Sequence, residues 1–310
     1  MATSSTAETT NNNEPLRVIL WSVPRSLSTV FEKCMSYVPH TLIINEAFVC
    51  AYHLGPDGHN VTSMVSKDLK VVQEKKLEQV QLDLPMAFDG EKCSYDFVKG
   101  EMEADYPGKS LIFCKDMAYG LDGKHDKLPA SGYRHTFLIR NPHRQFVSYK
   151  KMLGGPILMM TGKREFRLPD LPVALMPKGF AVKELHDLIT YFQEAGIEPD
   201  PIIIDADDLL ENPGSILRQY CNLTGIPYSE ELLQWPSAKD GMKSWKGARE
   251  FLLGNLVPDT GGYYDAALNS TCFHPPKEMP RREDLDEDVL ECVDFSMPYY
   301  DKMYAMRLKP

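Results

Sequence analysis

Residues 20–30 read Leu-Trp-Ser-Val-Pro-Arg-Ser-Leu-Ser-Thr-Val. An apolar run over 18–21 stops at Ser22, and apolar spacing resumes after Thr29. That order predicts a buried strand, a tight loop and a helix start. Such a loop can receive an anion, because free backbone N–H groups and the positive end of the helix dipole both face it. Arg25 adds a fixed charge, and Ser26, Ser28 and Thr29 add hydroxyl donors around Leu27. The glycine-rich Walker signature with its Lys-Ser/Thr pair is absent. On its own the stretch fits equally well a Ser26 helix cap beside a solvated Arg25.

Outward from this loop, short apolar runs alternate with helical patterns. Strands are expected over 17–21, 41–45, 110–115, 135–139 and 201–205. Helices are expected over 26–37, 62–82, 142–153, 179–195 and 212–222, and over 284–308 with a break at Pro298. The helix over 62–82 carries mixed charge near i,i+4 spacing and reads as exposed. Residues 154–178 are rich in Gly, Pro and Met and read as an irregular insertion. The alternation predicts an α/β fold, a central, mostly parallel sheet with helices on both faces. One domain is expected over 15–310, behind a disordered polar tail over 1–14. Ligands of such sheets bind at the carboxyl ends of the strands. Residues 22–29, 45–48, 115–119 and 140–148 follow strands and are expected to converge on one crevice.

The 310 residues carry a net charge of −10, which argues against general nucleic-acid binding. An anion must then be held by a local site. The seven cysteines are scattered without a CxxC pair, so free thiols in a cytoplasmic setting are expected, with no disulfide frame and no metal centre. No apolar run reaches the roughly 18 residues that a membrane span needs. Asp205, Asp207 and Asp208 read as a polar strand-to-helix turn before a metal site.

A second stretch, 139–149, reads Ile-Arg-Asn-Pro-His-Arg-Gln-Phe-Val-Ser-Tyr. Arg140 ends a strand, and Ser148 follows eight residues later on a helix, on the same face as Arg144. The guanidinium fork suits phosphate oxygens. The alternative is that Arg140 pairs with a nearby acid and Ser148 is only a small helix residue.

Together, Pro-Arg-Ser-x-Ser-Thr at 24–29 and Arg-Asn-Pro with Ser-Tyr at 140–149 resemble the sulfotransferase superfamily. The resemblance implies a P-loop NTPase-like fold and use of 3′-phosphoadenosine-5′-phosphosulfate as co-substrate. It implies transfer of a sulfuryl group to a hydroxyl or amine of a small-molecule acceptor, with no metal required. Arg25, Ser26, Leu27, Ser28 and Thr29 would hold the 5′-phosphosulfate, and Arg140 and Ser148 the 3′-phosphate. Arg25 stands where many cytosolic members have lysine. The segment Glu46-Ala47-Phe48 resembles a Glu-Pro-Phe-like element of proline-arginine-type members, with Ala47 replacing the proline. It implies Glu46 as general base, with Asp116 second and Lys115 near the transferred group. Met117 stands where cytosolic members place a histidine; His53, His59 and His125 are loop histidines within reach. The alternative for Glu46 is a helix cap or an ion pair with Lys115 or Arg25. The Met-rich segment 152–160, followed by Lys163, Arg164 and Arg167, is either an adaptable pocket or core. Lys246 is a further, unplaced candidate for the 3′-phosphate. Two rival readings are a P-loop-like nucleotide or small-molecule kinase and a non-catalytic nucleotide-binding relative. A homodimer is left open.

Overall fold

The strand before the loop is β1, Leu16–Ser22, and it sits inside a parallel sheet in the computed structural model. The structure describes residues 14–59, 83–130, 132–237, 240–256 and 264–310. Residues 1–13 of the polar tail and the helix expected over 62–82 lie outside the described residues. The other strands are β2 (Thr41–Asn45), β3 (Ala87–Phe88), β4 (Leu111–Met117), β5 (Tyr133–Ile139), β6 (Ile202–Asp205) and β7 (Lys246–Ala248). Their order is β3-β7-β2-β4-β1-β5-β6, and every pairing is parallel.

Among the described residues the helices are α1 (Ser28–Met35), α2 (Ala47–His53), α3 (Tyr95–Glu103), α4 (Pro142–Thr161), α5 (Val182–Glu194) and α6 (Ala206–Glu211). They continue with α7 (Pro213–Thr224), α8 (Arg249–Leu256), α9 (Asp265–Leu268) and α10 (Glu287–Ala305). Along β1 the side chains alternate. Ile19 and Trp21 enter one core with Phe48, Val98, Phe146, Leu185 and Val293 from α2, α3, α4, α5 and α10. Val18 and Leu20 enter the opposite core with Phe31, Leu209, Ile216 and Leu268 from α1, α6, α7 and α9. A strand apolar on both faces requires cover on both sides, and the helices supply it. None of the described helices is long and apolar enough to cross a membrane.

The structure corrects several boundaries. α4 runs through Pro156 to Thr161, so the irregular stretch begins at Gly162 and not at 154. Leu153 and Ile157, one turn apart, are buried and hold the helix across the proline, where one backbone hydrogen bond is lost. Met152 and Met160 pack against the same core, which makes this part of the Met-rich segment core. α10 likewise passes Pro298 without a break and starts at Glu287, after a short turn at Arg282–Asp284. Tyr300 and Met303 beyond the proline are buried and anchor it. α1 starts at Ser28, two residues late, because Arg25 and Leu27 hold φ of 66° and 71°. α5 starts at Val182, after Phe180 and Ala181 at φ 54° and 64°. β3 and β7 were not expected: two and three residues are too short to show a period. β7 fits at the edge of β2 because Gly247 lacks a side chain; a Cβ there would stand 3.2 Å from the Asn45 carbonyl oxygen.

β5 carries a buried histidine. The Trp21 indole N–H donates to His135 Nδ1 at 3.0 Å, and burial pushes the imidazole down from 6.5 to about 4. A depressed pKa contributes stability above the ordinary value that is lost as pH falls through the depressed one. The loss is expected between pH 6.5 and pH 4, by about 3 kcal/mol at pH 4. His135→Gln should flatten this part of the stability profile relative to wild type, measured as urea midpoints. Parallel profiles would show that His135 does not titrate there.

Candidate functional site

All seven strands run in one direction, so their carboxyl ends lie along one edge. Ser22 ends β1 and its hydroxyl donates to the Asp116 carbonyl at 3.1 Å. The chain then turns through Arg25 and Leu27, both left-handed without being glycine. Such conformations cost on the order of 1–3 kcal/mol each and cluster at ligand clamps. Turns of this kind curl backbone N–H groups into an anion-binding concavity. Leu27 is the N-cap of α1 and no side chain caps that helix, which removes the reading of Ser26 as a cap. Ser26 Oγ is instead buried with no hydrogen-bond partner among the described residues. Ser28 and Thr29 are buried in the first turn.

The second stretch meets the first. Asn141 caps α4 by accepting from the His143 N–H, and Pro142 opens the helix. Arg25 Nε donates to Ser148 Oγ at 3.1 Å, and Arg25 Nη1 lies 3.8 Å from Met152 Sδ. Arg140 Nη1 donates to the Arg25 carbonyl oxygen. Among the described residues Arg140 Nε is buried without a hydrogen-bond partner, and no carboxylate lies within ion-pair distance of Arg140. Burial lowers the Arg140 pKa; Asp207 opposes the shift, and Arg144 and Arg25 add to it. Arg144 does not turn towards Ser148: it pairs with Asp207 at 2.8 Å and donates to the Glu278 carbonyl. Asp205 caps α6 and accepts from Tyr300, so the acidic turn after β6 is structural. No described group of three His, Cys, Asp or Glu side chains could hold a metal ion.

Beside the loop lies a buried carboxylate cluster. Lys115 on β4 is fully buried, pairs with Glu46 and stands 3.6 Å from Glu32 Oε2. Burial alone would lower the Lys115 pKa, but Glu46 and Glu32 outweigh it and raise it. The ammonium thus lies between two carboxyl groups, in contact with Glu46 and further from Glu32. Glu46 precedes α2 at φ 49°, and its N–H donates to the Lys115 carbonyl at 2.8 Å. Tyr264 hydrogen-bonds Glu46, and its ring centre lies 5.1 Å from Lys115 Nζ. Asp116 accepts from the N–H groups of Phe48 (2.7 Å), Val49 (3.1 Å) and Met117 (2.9 Å), which ties it to the start of α2. Burial pushes Asp116 up to about 7 against those bonds.

Of the three histidines expected on loops, His53 is the last residue of α2; its ring and that of His59 both pack on Tyr52, and His125 lies elsewhere. His53 lies near Glu46 and meets the Tyr119 hydroxyl at 3.3 Å; burial holds it down at about 4. His59 faces Asp122 at 3.5 Å, and His125 stacks on Tyr191. Arg167 pairs with Asp170, Glu287 and Glu291, Lys163 and Arg164 are exposed, and Lys246 pairs with Glu101. Sequence reasoning missed Glu32, Tyr119 and Tyr264. A signal existed for Glu32: α1 is buried along all eight residues, so a polar residue on it needs an inward partner.

No family model matches the chain. "Branched-chain-amino-acid aminotransferase-like protein 2" of Arabidopsis thaliana is 26% identical over 281 residues, 87% of this chain. "Branched-chain-amino-acid aminotransferase-like protein 1" of the same plant is 24% identical over 295 residues, 93% of this chain. The chain spans only 39% and 41% of those two proteins. Among solved structures, the "Sulfotransferase Domain from the Curacin Biosynthetic Pathway" aligns over 96% of this chain and 99% of its own, at 15% identity and a TM-score of 0.44. The "Sulfotransferase Domain from the Synechococcus PCC 7002 Olefin Synthase" aligns over 92% and 95%, at 14% identity and a TM-score of 0.41.

Proposed function

We propose that this chain is a sulfotransferase that moves a sulfuryl group from 3′-phosphoadenosine-5′-phosphosulfate to a hydroxyl or amine of a small molecule. One observation carries the reading. Arg140 and Ser148 meet Arg25 across more than a hundred residues of sequence, which supports reading the two segments as halves of one anion grip. The residues fit a ligand with two anionic ends, because Ser26 Oγ and Arg140 Nε are buried donors without partners among the described residues. Arg25, Ser26, Ser28, Thr29 and the Leu27 N–H would hold the 5′ end, and Arg140 and Ser148 the 3′-phosphate. When bound, the nucleotide supplies the activated sulfuryl group.

The chain's own residues divide the remaining work. Glu46, held by Lys115, takes the acceptor proton as general base. Lys115 is fully buried behind Glu46, so it positions that carboxylate. Arg25, at the loop, is the cation that meets charge developing on the leaving oxygen.

The names of the plant relatives denote amino-group transfer, which uses a lysine amine to form an imine. Lys115 does not fit that task, since its pairing with Glu46 holds its proton. Melting temperatures separate the readings. Adenosine 3′,5′-bisphosphate at about 100 times its Kd should add roughly 2.7 kcal/mol of stability. Stabilisation by ATP with Mg²⁺ alone would replace the sulfotransferase reading with a kinase. Stabilisation by the bisphosphate, with no sulfated product from any acceptor, would leave a non-catalytic binding protein.

A further inference from the structure

Two buried carboxyl groups share one ammonium where β2 and β4 end. Lys115 touches Glu46 and stands 3.6 Å from Glu32 Oε2. Glu46 has a second donor in Tyr264. Glu32 Oε2 accepts from Asn45 Nδ2 at 2.9 Å, while Glu32 Oε1 is buried with no partner among the described residues. A buried anion needs a donor or counter-charge at its oxygens. Two carboxylates around one cation, out of water, are not both ionised without cost. The carboxyl nearer the cation ionises. The one further off, with a bare oxygen, keeps its proton.

We infer that Glu32 is a positioning residue: it is a neutral carboxylic acid at neutral pH, and its neutrality leaves Lys115 to Glu46. The consequence for turnover rests on Glu46 being the base. Burial pushes Glu32 up to about 8; Glu46 adds to the shift, and Lys115 and Asn45 oppose it. The titratable groups facing Glu32 are Lys115 and Cys114 on β4, Glu46 before α2, and Tyr264 before α9. Above about pH 8 Glu32 ionises and competes for Lys115, and Glu46 loses its exclusive partner.

The test compares wild type with Glu32→Gln, a permanently neutral stand-in. A raised folded pKa contributes stability that is complete below the unfolded value and lost as pH rises through the folded one. Wild type should therefore lose stability relative to the variant from about pH 4.5 to about pH 8, and the gap in urea midpoint should then level off. Asp116 titrates in both proteins and cancels. A gap independent of pH overturns the inference. Should the variant not fold, ¹³C-carboxyl NMR of wild type reads the same point: one glutamate still protonated at pH 7.5 supports it, and none protonated overturns it. In the sulfation assay, wild type should show an alkaline decline near pH 8 that Glu32→Gln lacks. A decline retained in the variant overturns the positioning role. If wild type does not bind the bisphosphate, the sulfuryl-transfer reading falls, while the stability curves still report on Glu32.

Discussion

Arg140→Ala should lower affinity for adenosine 3′,5′-bisphosphate by at least about 100-fold, measured by calorimetry or by loss of the thermal shift. A hydrogen bond to a charged group contributes about 1.5–3 kcal/mol, and a guanidinium fork makes two of them to a phosphate. Each 1.4 kcal/mol is tenfold in affinity. Arg140 also donates to the Arg25 carbonyl, so its loss removes a strut from a loop already turned through two left-handed residues. Arg140→Lys separates these effects. It keeps the charge but not the planar fork, and should bind with intermediate affinity. Unchanged affinity in Arg140→Ala would remove Arg140 from the phosphate site and with it the two-phosphate reading.

The loop and its partner segment were legible because their chemistry is local. Hydroxyls and an arginine after an apolar run mark a strand-to-helix turn, and an arginine at a strand end with a serine two helical turns on marks another. Parallel strands then bring both ends to one edge. The carboxylate cluster was only half legible. Glu46 and Lys115 follow or end strands and could be placed. Glu32 looked like an ordinary polar position on a helix, and only the packing of α1 against β2 and β4 turns it inward. Tyr264 comes from a distant segment with no motif, and its bond to Glu46 is a tertiary fact. The prolines misled for a related reason. Local propensity ends a helix at Pro156 or Pro298, but buried side chains on either side of each outweigh the lost backbone bond.

Glu46→Gln should leave bisphosphate affinity intact and cut turnover by about 10²–10⁴-fold, the usual contribution of a positioned base. The variant should fold, because removing the Glu46 charge does not strand Lys115. Glu32 Oε2 already lies 3.6 Å from the ammonium. With its competitor neutral, Glu32 becomes the carboxylate that ionises, and the buried cluster keeps one anion and one cation. Glu46→Ala lacks the side chain that Tyr264 bonds, so it should lose stability as well as turnover. Full activity in Glu46→Gln would move the proton to another group. Asp116 is badly placed to receive it, since three backbone N–H groups, two from the start of α2 and one from the end of β4, occupy its carboxylate. Asp116→Ala should therefore read as destabilisation of about 1–3 kcal/mol from uncapped buried donors. The remaining alternative is His53, neutral beside Tyr119 and near Glu46. A base at His53 would give Glu46→Gln a pH profile whose acid limb lies below about 4, because burial lowers that imidazole and the variant lacks the Glu46 charge that raises it. That limb, seen in a fully active variant, would transfer the role to His53.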